Sequence, residues 1–491
     1  MNVYPATLKD GTEIVFVHVD DPPSGGMKMT YFTPDRKQVV QFFHDPAAAK
    51  DPQRLARLEA ILSRYNPTIP EEMGGARGGN RATAEYFRHL FCWPTSTVLK
   101  PETGIVAPAY PDNYFFATGP FKGQEKISRW FSSPRLRKML PPQEQGEWIN
   151  YLSISILLSR AVRRLHQAGL AHSDLSSKNV LIDPPTGHCI VIDIDSLVVP
   201  RLFPPDVMGT PGYIAPEVLA TQNLDFSDPG RHHPSARTDL HALAVLIYEY
   251  LLSRHPLKGP KVNSVSSAEE DEFLSMGSKA LYIEHPDDSS NRPDGLSPTV
   301  DVLGPYLAEL FSRAFVTGLH SPDDRPAAIE WERGLIKTWD LLLPCQVQAC
   351  THRWFILTDL SDIRCPFCSA RYPLSVPVLK LRSERRTGQW MHDRQMAVYQ
   401  NVTLFKWHVL DNVFPAEESD RTPQASFIYE NGRWYLLNRC LQSLTSQDGN
   451  RIQAGQSLEL KDGAIMRLSQ EPHGRIAEVR IYDMQGQTDH E

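Results

Sequence analysis

Asp174, Asn179 and Asp193 are three oxygen-bearing side chains in one short stretch, and their order suits phosphoryl transfer from a magnesium nucleotide. That reaction needs one carboxylate to orient the accepting hydroxyl and take its proton. It needs a second carboxylate and an amide oxygen to hold the metal against the phosphates. Asp174 fits the first role, Asn179 and Asp193 the second, and Lys178 adds a cation beside them. A second chemistry is carried by sulfur. Cys345-x4-Cys350 and Cys365-x2-Cys368 pair thiolates on two turns, a spacing that suits tetrahedral zinc in a closed, structural site. His352 is an alternative ligand to Cys350.

The elements that must position these groups follow from periodicity. Trp148 to Gln167 carries an apolar stripe (Ile149, Leu152, Ile156, Leu157, Val162, Leu165) and predicts a long helix leading into the Asp174 loop. An apolar strand then ends in Asp193. Upstream, Thr12 to His18, Met27 to Thr33 and Gln38 to Phe43 read as strands, the last two joined by the Pro34-Asp35-Arg36 turn. Ala47 to Tyr65 reads as a helix with Leu55, Leu58, Ile61 and Leu62 on one face. Thr95 to Leu99 and Ile105 to Pro108 read as a strand pair.

His172-Ser173-Asp174-Leu175-Ser176-Ser177-Lys178-Asn179, Asp193-Ile194-Asp195 and Ala215-Pro216-Glu217 together resemble the protein-kinase signature set H-R-D-L-x-x-x-N, D-F-G and A-P-E. Trp93-Pro94 followed by two strands looks like bacterial kinases related to tellurium-resistance-associated phosphorylation systems. The resemblance implies a bilobal α+β domain, ATP and Mg²⁺ as cofactors, Asp174 as catalytic base and a hinge at Ala109-Tyr110-Pro111. It also implies that Asp239 braces the catalytic loop and that Glu217 pairs with Arg325. The chain departs from the pattern at the glycine loop, at Gln41 and at Asp195. The glycine loop is reduced to Ser24-Gly25-Gly26, with Gly25 and Gly26 left to cover the phosphates. Gln41 stands where a lysine belongs, so Lys28 becomes the candidate phosphate-facing cation; the alternative is a solvated strand residue. Glu59 is the expected helix glutamate. Asp195 replaces a glycine, which leaves a second-metal contact or a turn cap as its role.

The length of 491 residues suggests about three domains, and 41% hydrophobic with 22% charged residues is ordinary for a soluble chain with real cores. A net charge of −7 argues against a nucleic-acid partner, and neither a membrane span nor an export signal is legible. Cysteines grouped as a metal site point to a reducing, cytoplasmic location. From Asn401 short strands alternate with turns, predicting a small β-sandwich. Asn431 to Asn438, Ser443 to Gly449 and Leu460 to Ile465 resemble a forkhead-associated domain, which implies a phosphopeptide partner with Arg421 as a phosphate contact; a docking module blind to phosphate is the other reading.

The expected architecture is therefore α+β: kinase N-lobe 1–111, C-lobe 112–342, zinc ribbon 343–375, polar linker 376–400 and β-sandwich 401–491. Two functions compete. One is an active Ser/Thr protein kinase acting on a protein partner; the other is a pseudokinase scaffold, suggested by Gln41 and the thin glycine loop.

Overall fold

The computed structural model describes residues 2–24, 27–199, 209–417 and 419–482. Two compact units form: Met1–Gly146, Asn150–Leu296 and Leu310–Glu332 make the first, and Glu147–Ile149, Ser297–Glu309 and Arg333–Glu491 the second. Ser297–Glu309 thus leaves the expected 112–342 lobe. Gly304 explains part of this, because a Cβ there would stand 3.1 Å from a methyl of Ile356, a contact only glycine leaves relaxed.

The first unit opens with an antiparallel sheet of β1 (Val3–Leu8), β2 (Glu13–Val17), β3 (Lys28–Phe32), β4 (Gln38–Phe43), β5 (Ser96–Lys100) and β6 (Gly104–Pro108), ordered β2-β1-β5-β6-β4-β3. β1 was not expected from the sequence. Alternation sends Tyr31, Val40 and Phe42 into one core with Ala6, Phe16 and Val106, while Val39 and Ala107 pack with Leu181 and Ile190 on the opposite face.

The helix expected over Ala47 to Tyr65 is broken in two. Asp45 caps Pro46–Ala49, and Asp51 caps α1 (Pro52–Leu62) by accepting from Gln53 N and Arg54 N, with proline at the first helical position each time. Trp93, fully buried, donates its indole N–H to Ile61 O at 2.9 Å and closes the end of α1.

The rest of this unit is built on α2 (Trp148–Gln167), the hairpin β7 (Val180–Asp183) with β8 (His188–Val191), and α3 (Ala236–Leu252), almost every residue of which is buried.

In the second unit β9 (Leu342–Pro344) pairs with β10 (Trp354–Ile356) beside the four clustered cysteines. The segment 376–400 is not a linker. It folds as β11 (Val376–Arg386) and β12 (Gln389–Ala397), turned at Gly388, which has φ +79°. Its charges disguised it: Arg394 is buried on Asp340, and Arg382 pairs with Glu478.

β11 also pairs with β18 (Ile476–Tyr482), so the C-terminal body begins near Val376 and not at 401. One sheet runs β12-β11-β18-β17 and the other β13-β14-β15-β16, with β13 (Thr403–Leu404), β14 (Ala425–Glu430), β15 (Arg433–Asn438), β16 (Ser457–Glu459) and β17 (Ile465–Arg467). Leu379, Leu381 and Val479 of the first share a core with Phe427, Trp434 and Leu436 of the second. The strand expected over Leu404 to Leu410 is instead a short strand followed by the helical turn Lys406–Val409.

Candidate active site and cysteine cluster

The β7–β8 hairpin sets the relation between the metal-ligand candidates. Val180 faces Val191 in the ladder, and Ile192 N donates to Asn179 O at 3.0 Å, so Asn179 and Asp193 emerge side by side from one hairpin end. Asp193 turns there with φ +62°, in the left-handed region that Asp tolerates better than most residues. His172 Nε2 donates to Ile192 O at 2.9 Å and fixes the same turn from the catalytic-loop side.

The catalytic loop hangs from α3. Asp239, 2% exposed, accepts the backbone N–H groups of His172 at 2.7 Å and Ser173 at 3.1 Å. Two consecutive amides can reach one carboxylate because Ser173 has φ +68°. The expected bracing role of Asp239 thus has the geometry it needs. Asn179 Nδ2 donates to Asp174 O at 2.8 Å and to Asp174 Oδ2 at 3.0 Å, which leaves the amide oxygen available to a hard cation. Thr210 Oγ1 donates to the other carboxylate oxygen of Asp174 at 2.8 Å, a contact the sequence did not disclose.

Lys28 enters from β3. Cross-strand partners point to the same side, and the register pairs Lys28 with Phe43 and Thr30 with Gln41, placing Lys28 and Gln41 on one face. Lys28 continues into the site and Gln41 does not. The Lys28 ammonium lies 2.9 Å from Asp193 Oδ1 and is also hydrogen-bonded to Asp195, whereas Gln41 Nε2 is spent on Thr30 Oγ1 at 3.0 Å. Burial works against the Lys28 charge, but the two carboxylates outweigh it and raise its pKa. Burial likewise pushes Asp193 up, and Lys28 more than reverses this, leaving Asp193 below the usual carboxylate value.

Two expectations are placed differently. Glu59 is exposed and pairs with Lys9 at 3.0 Å, because the Asp51 cap and Pro52 phase α1 so that its buried stripe falls on Leu58 and Ile61. Asp195 neither caps a turn nor stands free; it is 8% exposed and bound to Lys28. Lys178 is exposed and makes no ion pair among the described residues. Gly25 and Gly26 lie outside the described residues.

Beyond the site, Arg325 grips Glu217 with two parallel bonds of 2.8 and 2.7 Å, the expected bidentate pair. Tyr213 donates its hydroxyl to Glu249 at 2.6 Å and His255 Nε2 donates to Gly212 O at 2.8 Å, so both ends of that dipeptide are tied to the helical body.

The sulfur atoms of Cys345, Cys350, Cys365 and Cys368 lie within 4.8 Å of one another, with Cys345–Cys368 at 3.6 Å and Cys350–Cys365 at 3.8 Å. A tetrahedron with zinc–sulfur bonds of about 2.3 Å has edges of about 3.8 Å, so the four thiols fit that ion. Arg353 and Ser369, at φ +61° and +59°, close the two knuckles. His352 stands outside the cluster and stacks on Phe367 with ring centroids 3.7 Å apart.

Residues 139–309 match the protein kinase domain family. Similar curated proteins include atypical protein kinase C of Drosophila melanogaster, 33% identical over 26% of this chain and 20% of its own length. The serine/threonine-protein kinase pkn3 of Myxococcus xanthus is 25% identical over 36% of this chain and 29% of its length. The DNA damage-responsive serine/threonine-protein kinase RqkA of Deinococcus radiodurans is 30% identical over 24% and 17%. The alignments therefore span less than a third of these relatives' own length. With the geometry above they define a protein-kinase-like α+β domain. The family match begins at residue 139, so Lys28 and Gln41 fall in the part of the chain it does not cover. No helix among the described residues is long and apolar enough to cross a membrane.

Proposed function

We propose that the chain is a Ser/Thr-type protein kinase that transfers the γ-phosphate of ATP to hydroxyls of a protein partner. The observation that carries this reading is the gathering of Asp174, Asn179, Asp193 and Lys28 at one hairpin end, with Lys28 Nζ 2.9 Å from Asp193 Oδ1. The magnesium nucleotide supplies the transferable phosphoryl group and a charge-neutralising cation. Asn179 and Asp193 would hold that cation through oxygen. Asp174 accepts the proton of the attacking hydroxyl as the new oxygen–phosphorus bond forms and ADP departs. Lys28 faces the phosphates in place of the cation that Gln41 cannot provide.

The alternative, a pseudokinase scaffold, rests on Gln41 and the thin glycine loop; the Lys28 ammonium beside Asp193 favours the active kinase. The four cysteines are proposed to hold structural zinc, which shapes the strands beside them. The C-terminal sheets are proposed as a forkhead-associated-like docking module for a protein or phosphopeptide, and the kinship with tellurium-resistance-associated kinases and a cytoplasmic location complete the proposal. Incubation with γ-labelled ATP and dephosphorylated casein tests the central reading. Labelled phosphoserine or phosphothreonine that disappears with EDTA supports it, and label released only as inorganic phosphate rules it out.

A further inference from the structure

Lys28 is buried between two carboxylates that are not equivalent. The Lys28 side chain is 9% accessible, that of Asp195 is 7%, and that of Asp193 is 34%. Asp193 therefore opens toward solvent, where a cation can arrive, while Asp195 is closed behind the lysine. A divalent ion that claims Asp193 competes with the ammonium for its oxygens. A buried lysine left without a carboxylate is strongly destabilised and tends to withdraw or lose its proton.

Among the described residues no other acid is bonded to Lys28. The only carboxylate within α1 is Glu59, which is two-thirds exposed and committed to Lys9. α1 nevertheless packs against the Ile194–Ser196 turn that carries Asp195. The positive φ of this turn falls on Asp193 and not on Asp195, so a side chain at 195 costs no backbone strain.

We propose that Asp195 is a positioning residue, an anchor that keeps Lys28 in the cleft facing the phosphates when a divalent ion occupies Asp193. The role ordinarily asked of a helix glutamate is transferred to the turn that follows the metal ligand. This rests on the kinase reading and adds to it a separation of duties: Asp193 serves the metal, Asp195 serves the lysine. Asp195 touches neither substrate nor metal and acts through Lys28 alone.

The test is calorimetric binding of a non-hydrolysable ATP analogue to the full chain, in magnesium and in EDTA, for wild type, Asp195→Asn, Asp195→Glu, Lys28→Met and Lys28→Met/Asp195→Asn. Asp195→Asn is expected to weaken binding about tenfold or more in magnesium and by no more than about threefold in EDTA, because without metal Asp193 still holds the ammonium. Asp195→Glu should restore most of the loss. In the Lys28→Met background the second substitution should change affinity by less than about twofold, as an anchor acting through Lys28 requires.

Wild-type-like affinity of Asp195→Asn in magnesium would overturn the proposal. So would an equal loss with and without metal, or a further loss on adding Asp195→Asn to Lys28→Met. Should Asp195→Asn not fold, the double variant, which removes cation and carboxylate together, decides the question against Lys28→Met. A wild-type chain that binds no magnesium nucleotide overturns the kinase reading itself, and that result is read in a separate arm.

Discussion

Lys28 and Asp193 stand 165 positions apart in the chain, yet their charged atoms meet at 2.9 Å. Gln41, on the same sheet face, is turned back onto Thr30. On the proposed reading the phosphate-facing cation is Lys28, one strand away from where the family pattern puts it. Lys28→Met should lower kcat/KM for phosphoryl transfer at least about a hundredfold, while Gln41→Ala should change it by less than about threefold. Steady-state kinetics on variants shown to be folded by circular dichroism separates the two; a larger loss from Gln41→Ala would reverse the assignment.

The cysteine cluster makes a compositional prediction. Purified chain should carry one zinc by elemental analysis, and Cys350→Ser or Cys365→Ser should lose it with a fall in melting temperature. His352→Ala should retain it, since that ring is outside the sulfur cluster and stacked on Phe367. Zinc lost on removing His352 but kept without Cys350 would exchange their roles.

Two ion pairs near one another in sequence should differ sharply in worth. Arg325 is 4% exposed and holds Glu217 bidentately, so Glu217→Ala, which leaves a buried guanidinium with backbone carbonyls but no countercharge, should cost about 3 kcal/mol. The Arg237–Asp323 pair is solvated, with side chains 63% and 77% accessible, and Asp323→Ala should stay within about 0.5 kcal/mol. Urea denaturation of both variants measures the contrast.

The parts of the site legible in the sequence were those fixed by local spacing. Asn179 and Asp193 flank one short hairpin, and Asp174 precedes Asn179 in the same loop, so motif order already determined their proximity. Lys28 was a candidate only, because the face a strand residue presents depends on pairing register, and that register is set with β4 across the Pro34-Asp35-Arg36 turn. The partner of Asp195 was hidden for the same reason.

The β11–β12 hairpin reads as a connector in the sequence because Arg382, Arg394 and Glu384 give it that composition. Arg382 and Arg394 pair with Glu478 and Asp340, residues that no local window contains. The phase of α1, and with it the fate of Glu59, hinged on the Asp51-Pro52 break within a longer apolar pattern.

Glu249 supplies a pH signature. Burial pushes its carboxyl up to about 7, against a smaller lowering by the Tyr213 hydroxyl. Its folded value lies above the unfolded one, so the folded form holds the proton more tightly and this contribution to stability is lost as pH rises from about 4 to about 7. Glu249→Gln removes that loss. The variant should gain about 2–3 kcal/mol on wild type between pH 5 and pH 8 in urea titrations, and an unchanged difference would contradict the titration.

The most direct measurement compares wild type with Asp174→Asn for transfer of γ-labelled phosphate from magnesium ATP to protein hydroxyls. Asn keeps the shape and can still be reached by Asn179 and Thr210, but it cannot take the proton of the attacking hydroxyl. The account predicts that the variant binds magnesium ATP with wild-type affinity and transfers phosphate at least about a hundredfold more slowly; transfer at the wild-type rate would contradict it.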